Sequence, residues 1–428
     1  MTKRGSRPGG PDAVGKRRAA SLIRTLGVKE FKSLKHVEVE LGLVNVFVGA
    51  NGAGKSNLLE AIGIIGAAAS GRIDDNALLR RGVRPGVPEV YKSAFRRQRT
   101  GDKLANAIEI KVSTGEADAT SYRINITNPI HNPGPWWVFQ HEEVTADGER
   151  VASRGPRNAQ VLGERQPGLD NRTSVGAVVR GRAPLALRAL LDALDDYAVF
   201  APVTPVLRGI APDSAPRSPV GLFGGQLPEA VAMLLDGQGS EAKQAFLDDA
   251  LRFVDWASGF DVAEPSRAFI APSVPTTRMV IRFFDRYMRP ERNQLSGYDA
   301  SEGALYILFM LVLALHDHAP RVFAVDNFDQ ALNPRAAQGL AKVFASAVLA
   351  QGRQALLTTH NPKVLDGLPL DDDRVRLFTV EREDNGHTQV RRVDVRDLRS
   401  LKQKHGNDAV SRLWLEGRLG GMAGPPDV

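Results

Sequence analysis

The chemistry legible in this chain sits in one loop, one aspartate, one histidine and one serine–glycine pair. Gly49 to Ser56 read G-A-N-G-A-G-K-S, the spacing G-x-x-x-x-G-K-[ST]. Glycines so placed let successive backbone N–H groups turn inward around phosphate oxygens. Lys55 then reaches the β- and γ-phosphates of a nucleotide, and the Ser56 hydroxyl is a ligand for Mg²⁺. Asn51, Gly52, Ala53, Gly54 and Asn57 complete the expected contacts with ATP. A second stretch, "RVFAVDNFDQALNP", ends an apolar strand in Asp326, a carboxylate suited to the same metal. A third, "LLTTHNP", ends in His360, 34 positions after Asp326, where an imidazole can bond a γ-phosphate or an attacking water. A fourth, Ser301-Glu302-Gly303, precedes an apolar helix and offers an anion site at a helix N-terminus. Leu295-Ser296-Gly297 competes for that role. Ser301 is preferred because 25 residues separate it from Asp326, room for one helix and one strand.

These groups need elements to aim them. "VNVFVG" reads as a short buried strand, and "KSNLLEAIGIIGAAA" as a helix with Leu58, Leu59, Ile62 and Ile65 at helical spacing. Strand, glycine loop and helix stand in the order that phosphate binding requires. Before them, residues 21–41 read as two β-rich pieces around a turn at Lys32–Ser33. Two strands are expected within 106–126, and the polar, Arg- and Gly-rich stretch 147–184 reads as a long loop or partly disordered insert. The remainder alternates: a helix at 304–315, "RVFAVD", a helix from 334 to 349, "ALLTTH" and "RVRLFTVERE". That alternation predicts an α/β domain with a mostly parallel sheet.

Bulk numbers exclude several classes. The chain has 428 residues, 43% apolar and 25% charged, and no cysteine, so disulfides and thiolate metal sites are ruled out. The longest apolar run, Ala304 to Leu315, falls well short of the roughly 20 residues of a spanning helix, which predicts no membrane partner and a cytoplasmic protein. Net charge is +7, most of it in a basic tail, residues 1–20, read as disordered. A second basic run, residues 80–103, carries eight Lys or Arg against Glu89 and Asp102 and is a candidate contact for nucleic acid or an acidic partner.

The four motifs in this order resemble the ABC-type ATPase heads of the RecF, SMC and OLD families. Asp326 to Asn333, D-N-F-D-Q-A-L-N, lie in register with their D-E-P-T-S-A-L-D, and "GVKEFKSLKHVEVEL" is similar to their first hairpin. "RRGVRPGVPEVYKSAF" and "LWLEGRLGGM" are similar to segments of stand-alone bacterial AAA/ABC ATPases of anti-phage systems, such as the Septu ATPase. The resemblance implies a P-loop head with an N-terminal antiparallel β subdomain and an inserted α/β or helical lobe. It also implies a homodimer or higher oligomer with ATP sandwiched between copies. Lys55, Ser56, Asp326 and His360 then act in cis, and Ser301 and Gly303 act on the partner's nucleotide. Asn327 stands where those heads carry a glutamate that polarises water. An amide is no general base near neutral pH, so slow hydrolysis is expected. Gln98 and Gln140 are candidates for the glutamine that such heads place on the metal.

The expected divisions are the tail 1–20, a first half of the head at 21–130, an inserted lobe at 131–270, a second half at 271–385 and a helical segment at 386–428. Trp136 and Trp137 are candidates for base stacking or for core. The C-terminal segment is expected to form two short amphipathic helices that pack on the head or dock a partner. No nuclease signature is present, so a nuclease or toxin activity would belong to a separate effector subunit.

Overall fold

The computed structural model describes residues 22–95, 107–115, 119–237, 240–404 and 408–420. The basic tail 1–20, Gln98 and the distal part of the 80–103 run lie outside them.

A six-stranded sheet forms the centre. Its order is Val199–Phe200, Val322–Val325, Gln354–Thr359, Val44–Val48, Val375–Arg382 and Thr388–Arg392. The first five strands are parallel, and the last closes an antiparallel hairpin. Every residue of Val44–Val48 is buried, as a strand covered on both faces requires. Alternation assigns the faces: Val44, Val46 and Val48 enter one hydrophobic core, and Phe47 enters the other. Asn45 is buried among them, with its amide bonded to Gly42 and to the Ala355 carbonyl.

The helix Glu302–Leu315 crosses the first core. It is apolar all round and buried from Ala304 to Ala314, the pattern of a helix enclosed on every side. Leu227–Gly237 and Pro334–Ala350 pack on it. On the other face the helix Lys55–Ala69 lies between the central sheet and Leu185–Asp195.

A nine-stranded antiparallel sheet flanks that second core. Its main path runs from Glu164–Arg165 through 159–161, 149–154, 136–146, 120–127 and 108–114 to Thr25–Phe31 and Leu34–Glu40. The stretch 147–184, expected as a long loop or partly disordered insert, contributes three of these strands and the helix Val175–Arg180. Its strand alternation is hidden because Arg154 occupies an inward, buried position. Turns with positive φ at Asp147–Gly148 and Leu162–Gly163 join the strands. The third sheet comprises Ala257–Ala263, Val280–Asp285 and Gln294–Ser296. The 131–270 stretch is thus divided among all three sheets. The C-terminal helices Val395–Lys404 and Val410–Leu415 pack back on the body: Ser411 bonds Asp366, and Leu413 and Trp414 are buried.

Candidate functional site

Three parallel strands deliver the site. Val44–Val48 runs into Gly49, Val322–Val325 into Asp326 and Gln354–Thr359 into His360, and the last strand lies between the other two. Register pairs Val325 with Leu357 and Val48 with Thr359. The three exits therefore share one carboxyl edge, where open α/β sheets bind ligand.

The glycine loop is held by hydroxyls from distant segments. Gly52 and Gly54 have φ of 77° and 108°. A Cβ on Gly54 would lie 2.3 Å from Thr388 Oγ1 and 2.8 Å from Ser33 Oγ, so both dihedral and space demand glycine. Thr388 Oγ1 donates to the Ala53 carbonyl at 2.7 Å and lies 2.7 Å from Ser33 Oγ. Asn57 Nδ2 donates to Ser33 Oγ at 2.9 Å. Asn51 and Gly52 are exposed at the tip, and Ala53 is buried. Lys55 Nζ donates to the carbonyls of Gly49 at 2.7 Å and Ala50 at 2.9 Å. Burial lowers its pKa, against the opposing pull of the Asp326 and Asp329 carboxylates.

Asp326 meets the loop directly. Ser56 Oγ donates to its carboxylate at 2.9–3.0 Å, across 270 positions of sequence. Thr358 Oγ1 donates to the same carboxylate and accepts from Asn327 N at 2.8 Å. A hydroxyl beside one carboxylate fits Mg²⁺, a hard cation that keeps waters and phosphate oxygens as its other ligands. Among the described residues no cluster of three or more His, Asp or Glu side chains is placed to hold a metal by protein groups alone. Asn327 has φ of 56° and is exposed. Asp329 is buried, accepts from Thr359 Oγ1 at 2.6 Å, and its charge reaches Lys55. His360 is exposed at the strand end.

The serine–glycine pair makes no hydrogen bond to the loop among the described residues. Ser301 caps the helix Glu302–Leu315, its Oγ accepting from Ala304 N at 3.3 Å, and is exposed. Its bonds are local, and none joins it to residues 49–57 among the described residues. A Cβ on Gly303 would lie 3.2 Å from the Ala331 carbonyl, which sets the pair beside the turn that follows Asp326. Thr204 Oγ1 donates to Glu302, Arg208 Nη2 donates to the Ala300 carbonyl, and Tyr306 Oη donates to the Pro202 carbonyl, fixing this helix end. The competing Ser296 is buried in a strand and donates to Asp299, so only Ser301 presents its hydroxyl outward.

Several participants escaped the sequence reading. Glu60, one turn beyond Ser56, is buried and accepts from Lys32 Nζ and from Arg84 Nε at 2.7 Å. The Glu60 hydrogen bond holds the Arg84 pKa up, and Asp326 adds to it. Arg84 belongs to the basic run, whose described part is largely committed internally: Arg81 is buried against Asp195, and Lys92 donates to the Asn128 carbonyl. The signal for Ser33, Thr358 and Thr388 was weak, a hydroxyl residue at a turn or strand. Gln140 lies on the antiparallel sheet in a cleft with Arg157 and Arg165, away from Ser56 and Asp326. Trp137 is core, stacked on Tyr91 at 5.4 Å, and Trp136 is exposed.

A phosphate-type loop, a strand-end aspartate and a serine–glycine helix end, on a mostly parallel sheet flanked by an antiparallel one, define the ABC-type ATPase head. The chain belongs to the RecF/RecN/SMC family: residues 22–386 match the RecF/RecN/SMC N-terminal domain. It is 35% identical over 110 residues to the DNA replication and repair protein RecF of Paenarthrobacter aurescens (strain TC1), 25% of each chain. It is 27% identical over 176 residues to the RecF of Clavibacter michiganensis subsp. michiganensis (strain NCPPB 382), 38% of this chain and 42% of that one. These matches thus span between a quarter and about two-fifths of the relatives' own length. A solved SMC head bound to the C-winged helix domain of ScpA aligns over 88% of this chain and 99% of that one, with 12% identity and a TM-score of 0.49. Among the described residues no helix is long and apolar enough to cross a membrane.

Proposed function

We propose that this chain binds ATP with Mg²⁺ between two copies of itself and uses the closed dimer to control a separate effector. The observation that carries the reading is the Ser56–Asp326 contact, which sets a hydroxyl and a carboxylate side by side at the mouth of the glycine loop. Ser56 and Asp326 would hold the metal, whose charge would offset that of the phosphates. Lys55 would leave the Gly49 and Ala50 carbonyls for phosphate oxygens, a stronger, charge-assisted partner. The exposed, locally bonded Ser301 and the half-buried Gly303 beside it would supply the anion site that the partner copy lacks in its own loop.

Hydrolysis is slow in this reading. Asn327 is held in the left-handed region that Asn tolerates, and its amide orients water without taking a proton. Asp329 is the next carboxylate along the chain from Asp326, but it is buried and one of its oxygens is taken by the Thr359 hydroxyl. A head that turns over slowly suits a switch, and the resemblance to stand-alone defence ATPases points to a nuclease or toxin of bacterial anti-phage defence as the effector, in the cytoplasm.

Mixing two defective copies tests the shared site. Lys55→Ala and Ser301→Arg proteins should each fail to dimerise with ATP in light scattering. Together they should form heterodimers with one intact composite site. If the mixture stays monomeric while wild type dimerises, the trans arrangement is wrong. Co-expression with the product of the adjacent gene, followed by ATP-dependent co-purification, tests the effector.

A further inference from the structure

We propose that Asn51–Gly52, at the tip of the glycine loop, is a site of spontaneous modification: deamidation there weakens nucleotide binding, and bound nucleotide shields the pair. The chain holds two Asn-Gly pairs, 51–52 and 385–386. Asparagine before glycine is open to this chemistry because glycine has no Cβ to block its nitrogen and its backbone turns freely. The fold treats the two pairs in opposite ways.

Asn385 is locked. Its Nδ2 donates to Glu383 at 3.0 Å, and its Oδ1 accepts from His387 N at 2.7 Å. The Gly386 nitrogen, the group that would attack, donates to the Glu383 carbonyl at 2.8 Å. Phe95 covers this glycine, since a Cβ on Gly386 would lie 3.0 Å from its ring. Asn51 has none of these restraints. Asn51 and Gly52 are both exposed, and neither the Asn51 amide nor the Gly52 nitrogen has a hydrogen-bond partner among the described residues. A Cβ on Gly52 would meet nothing within 4 Å. The backbone bond that crosses the tip, from Ala53 N to the Ala50 carbonyl, is long at 3.3 Å.

The reaction balances with solvent water alone. The Gly52 nitrogen attacks Asn51 Cγ, its proton leaves with Nδ2 as ammonia, and a cyclic imide closes. Water then opens the ring at either carbonyl, giving aspartate or, with the backbone rerouted through the side chain, isoaspartate. The helix Lys55–Ala69 begins just after the pair, and its N-terminal dipole favours the nitrogen anion that starts the attack. The field that fits the loop for phosphate thus also favours its modification. Either product sets a carboxylate where phosphate must enter. Isoaspartate also lengthens the backbone of a loop whose N–H groups must converge. The shielding rests on the ATP reading, and the modification itself does not.

Full-length protein without nucleotide is aged at mildly alkaline pH, and its digested peptides are read by mass for exchange of the amide NH2 for OH. Asn51 should convert at least about tenfold faster than Asn385, whose hydrogen bonds must break first. In the denatured chain the two pairs should convert at similar rates. With Mg²⁺ and ATP about tenfold above its Kd, conversion at Asn51 should slow by about tenfold, since only free loops react, and Asn385 should be unaffected. Aged protein should lose nucleotide affinity in step with the converted fraction, and Asn51→Asp should bind ATP at least about tenfold more weakly from the start. Asn51→Gln, whose longer side chain closes a larger ring, should keep its own starting affinity through the same ageing. An intact Asn51 after ageing, or Asn385 converting as fast in the folded chain, would overturn the proposal. So would conversion that ATP leaves unslowed in protein that binds it when fresh. Fast conversion at Asn51 in fresh protein that binds no ATP would uphold the modification and remove the ATP reading, so the two fail separately.

Discussion

Two polar clusters, one on the antiparallel sheet and one at the edge of the central sheet, are built from the same kinds of groups and end in opposite states. In the antiparallel sheet, the Glu142 carboxylate accepts from Tyr122 Oη at 2.9 Å, Ser174 Oγ at 2.8 Å, Val175 N at 3.0 Å and Arg154 Nε at 3.2 Å. Burial pushes its pKa up, those four donors resist, and every partner is a neighbour within the same sheet and its helix. At the central sheet, the Asp326 carboxylate takes two hydroxyls, and the ammonium nearest to it rests on backbone carbonyls at the lip of a loop. The first cluster is closed and satisfied. The second keeps a lysine and a serine on groups that a phosphate or a metal would replace with stronger partners. Burial of charge alone therefore does not mark a working site; what marks it is a buried charge whose present partners are weaker than the ligand.

The strongest test of that contrast is to break the closed cluster. Glu142→Ala leaves the Arg154 guanidinium buried without its counter-charge, which should cost about 3–5 kcal/mol of stability. Urea denaturation followed by tryptophan fluorescence reads it. The folded fraction should bind nucleotide as tightly as wild type, because no Glu142 partner touches the loop. A loss under about 1 kcal/mol would show that the cluster is not structural.

Lys55→Ala should do the reverse. Nucleotide affinity should fall by about a hundredfold, on the order of 3 kcal/mol for a charge-assisted contact to phosphate, while the urea midpoint stays put or rises slightly. The rise is expected because burial disfavours this ammonium in the free protein. Titration calorimetry with ATP checks the affinity, and unchanged binding would remove Lys55 from the site.

How much of this was legible follows from range of interaction. The loop, Asp326, His360 and Ser301 stand out in the sequence because each sits in a local pattern, at the end of an apolar strand or at the start of an apolar helix. The central strands were readable because burial on both faces forces continuous apolar runs such as Val44–Val48. What escaped depends on pairing across the fold. Ser33 and Thr388 are 355 positions apart and meet only because the first hairpin lies beside the last one. The 147–184 strands were unreadable because their inward positions hold Arg154, Ala152 and Ala159, not a run of large apolar side chains. Gln140 has no local pattern around it, and its bulged strand places it on the antiparallel sheet beside Arg157 and Arg165.

A finer test asks whether the open cluster is complete for hydrolysis. Asn327→Glu restores a carboxylate beside Asp326 at an exposed position, and turnover should rise by about tenfold or more as a general base is gained. The left-handed φ of 56° at this residue is costlier for Glu than for Asn, which caps the gain. Asp329→Asn in the same background separates the two carboxylates. If that change alone abolishes turnover in the native Asn327 protein, Asp329 is the working base and the slow-switch reading falls.

The smallest effect sharpens the comparison from outside both clusters, where a carboxylate docks the C-terminal helix. Asp366 accepts from Ser411 N at 2.9 Å, from the Ser411 hydroxyl at 2.7 Å and from Lys363 Nζ at 3.0 Å. Burial acts to raise its pKa, yet the Ser411 bonds and Lys363 outweigh it and the net shift is downward from 3.8. A carboxylate whose folded pKa lies below its unfolded value adds stability above the unfolded value and loses it as pH falls through the folded one. Asp366→Asn should therefore cost about 1 kcal/mol near neutral pH, and the gap to wild type should close only below about pH 4. Hydrogen exchange across Val410–Leu415 reads the docking directly: faster exchange in the variant at neutral pH, converging with wild type in acid. A gap that persists in acid would mean that the hydrogen-bond geometry, not the charge, holds this helix to the head.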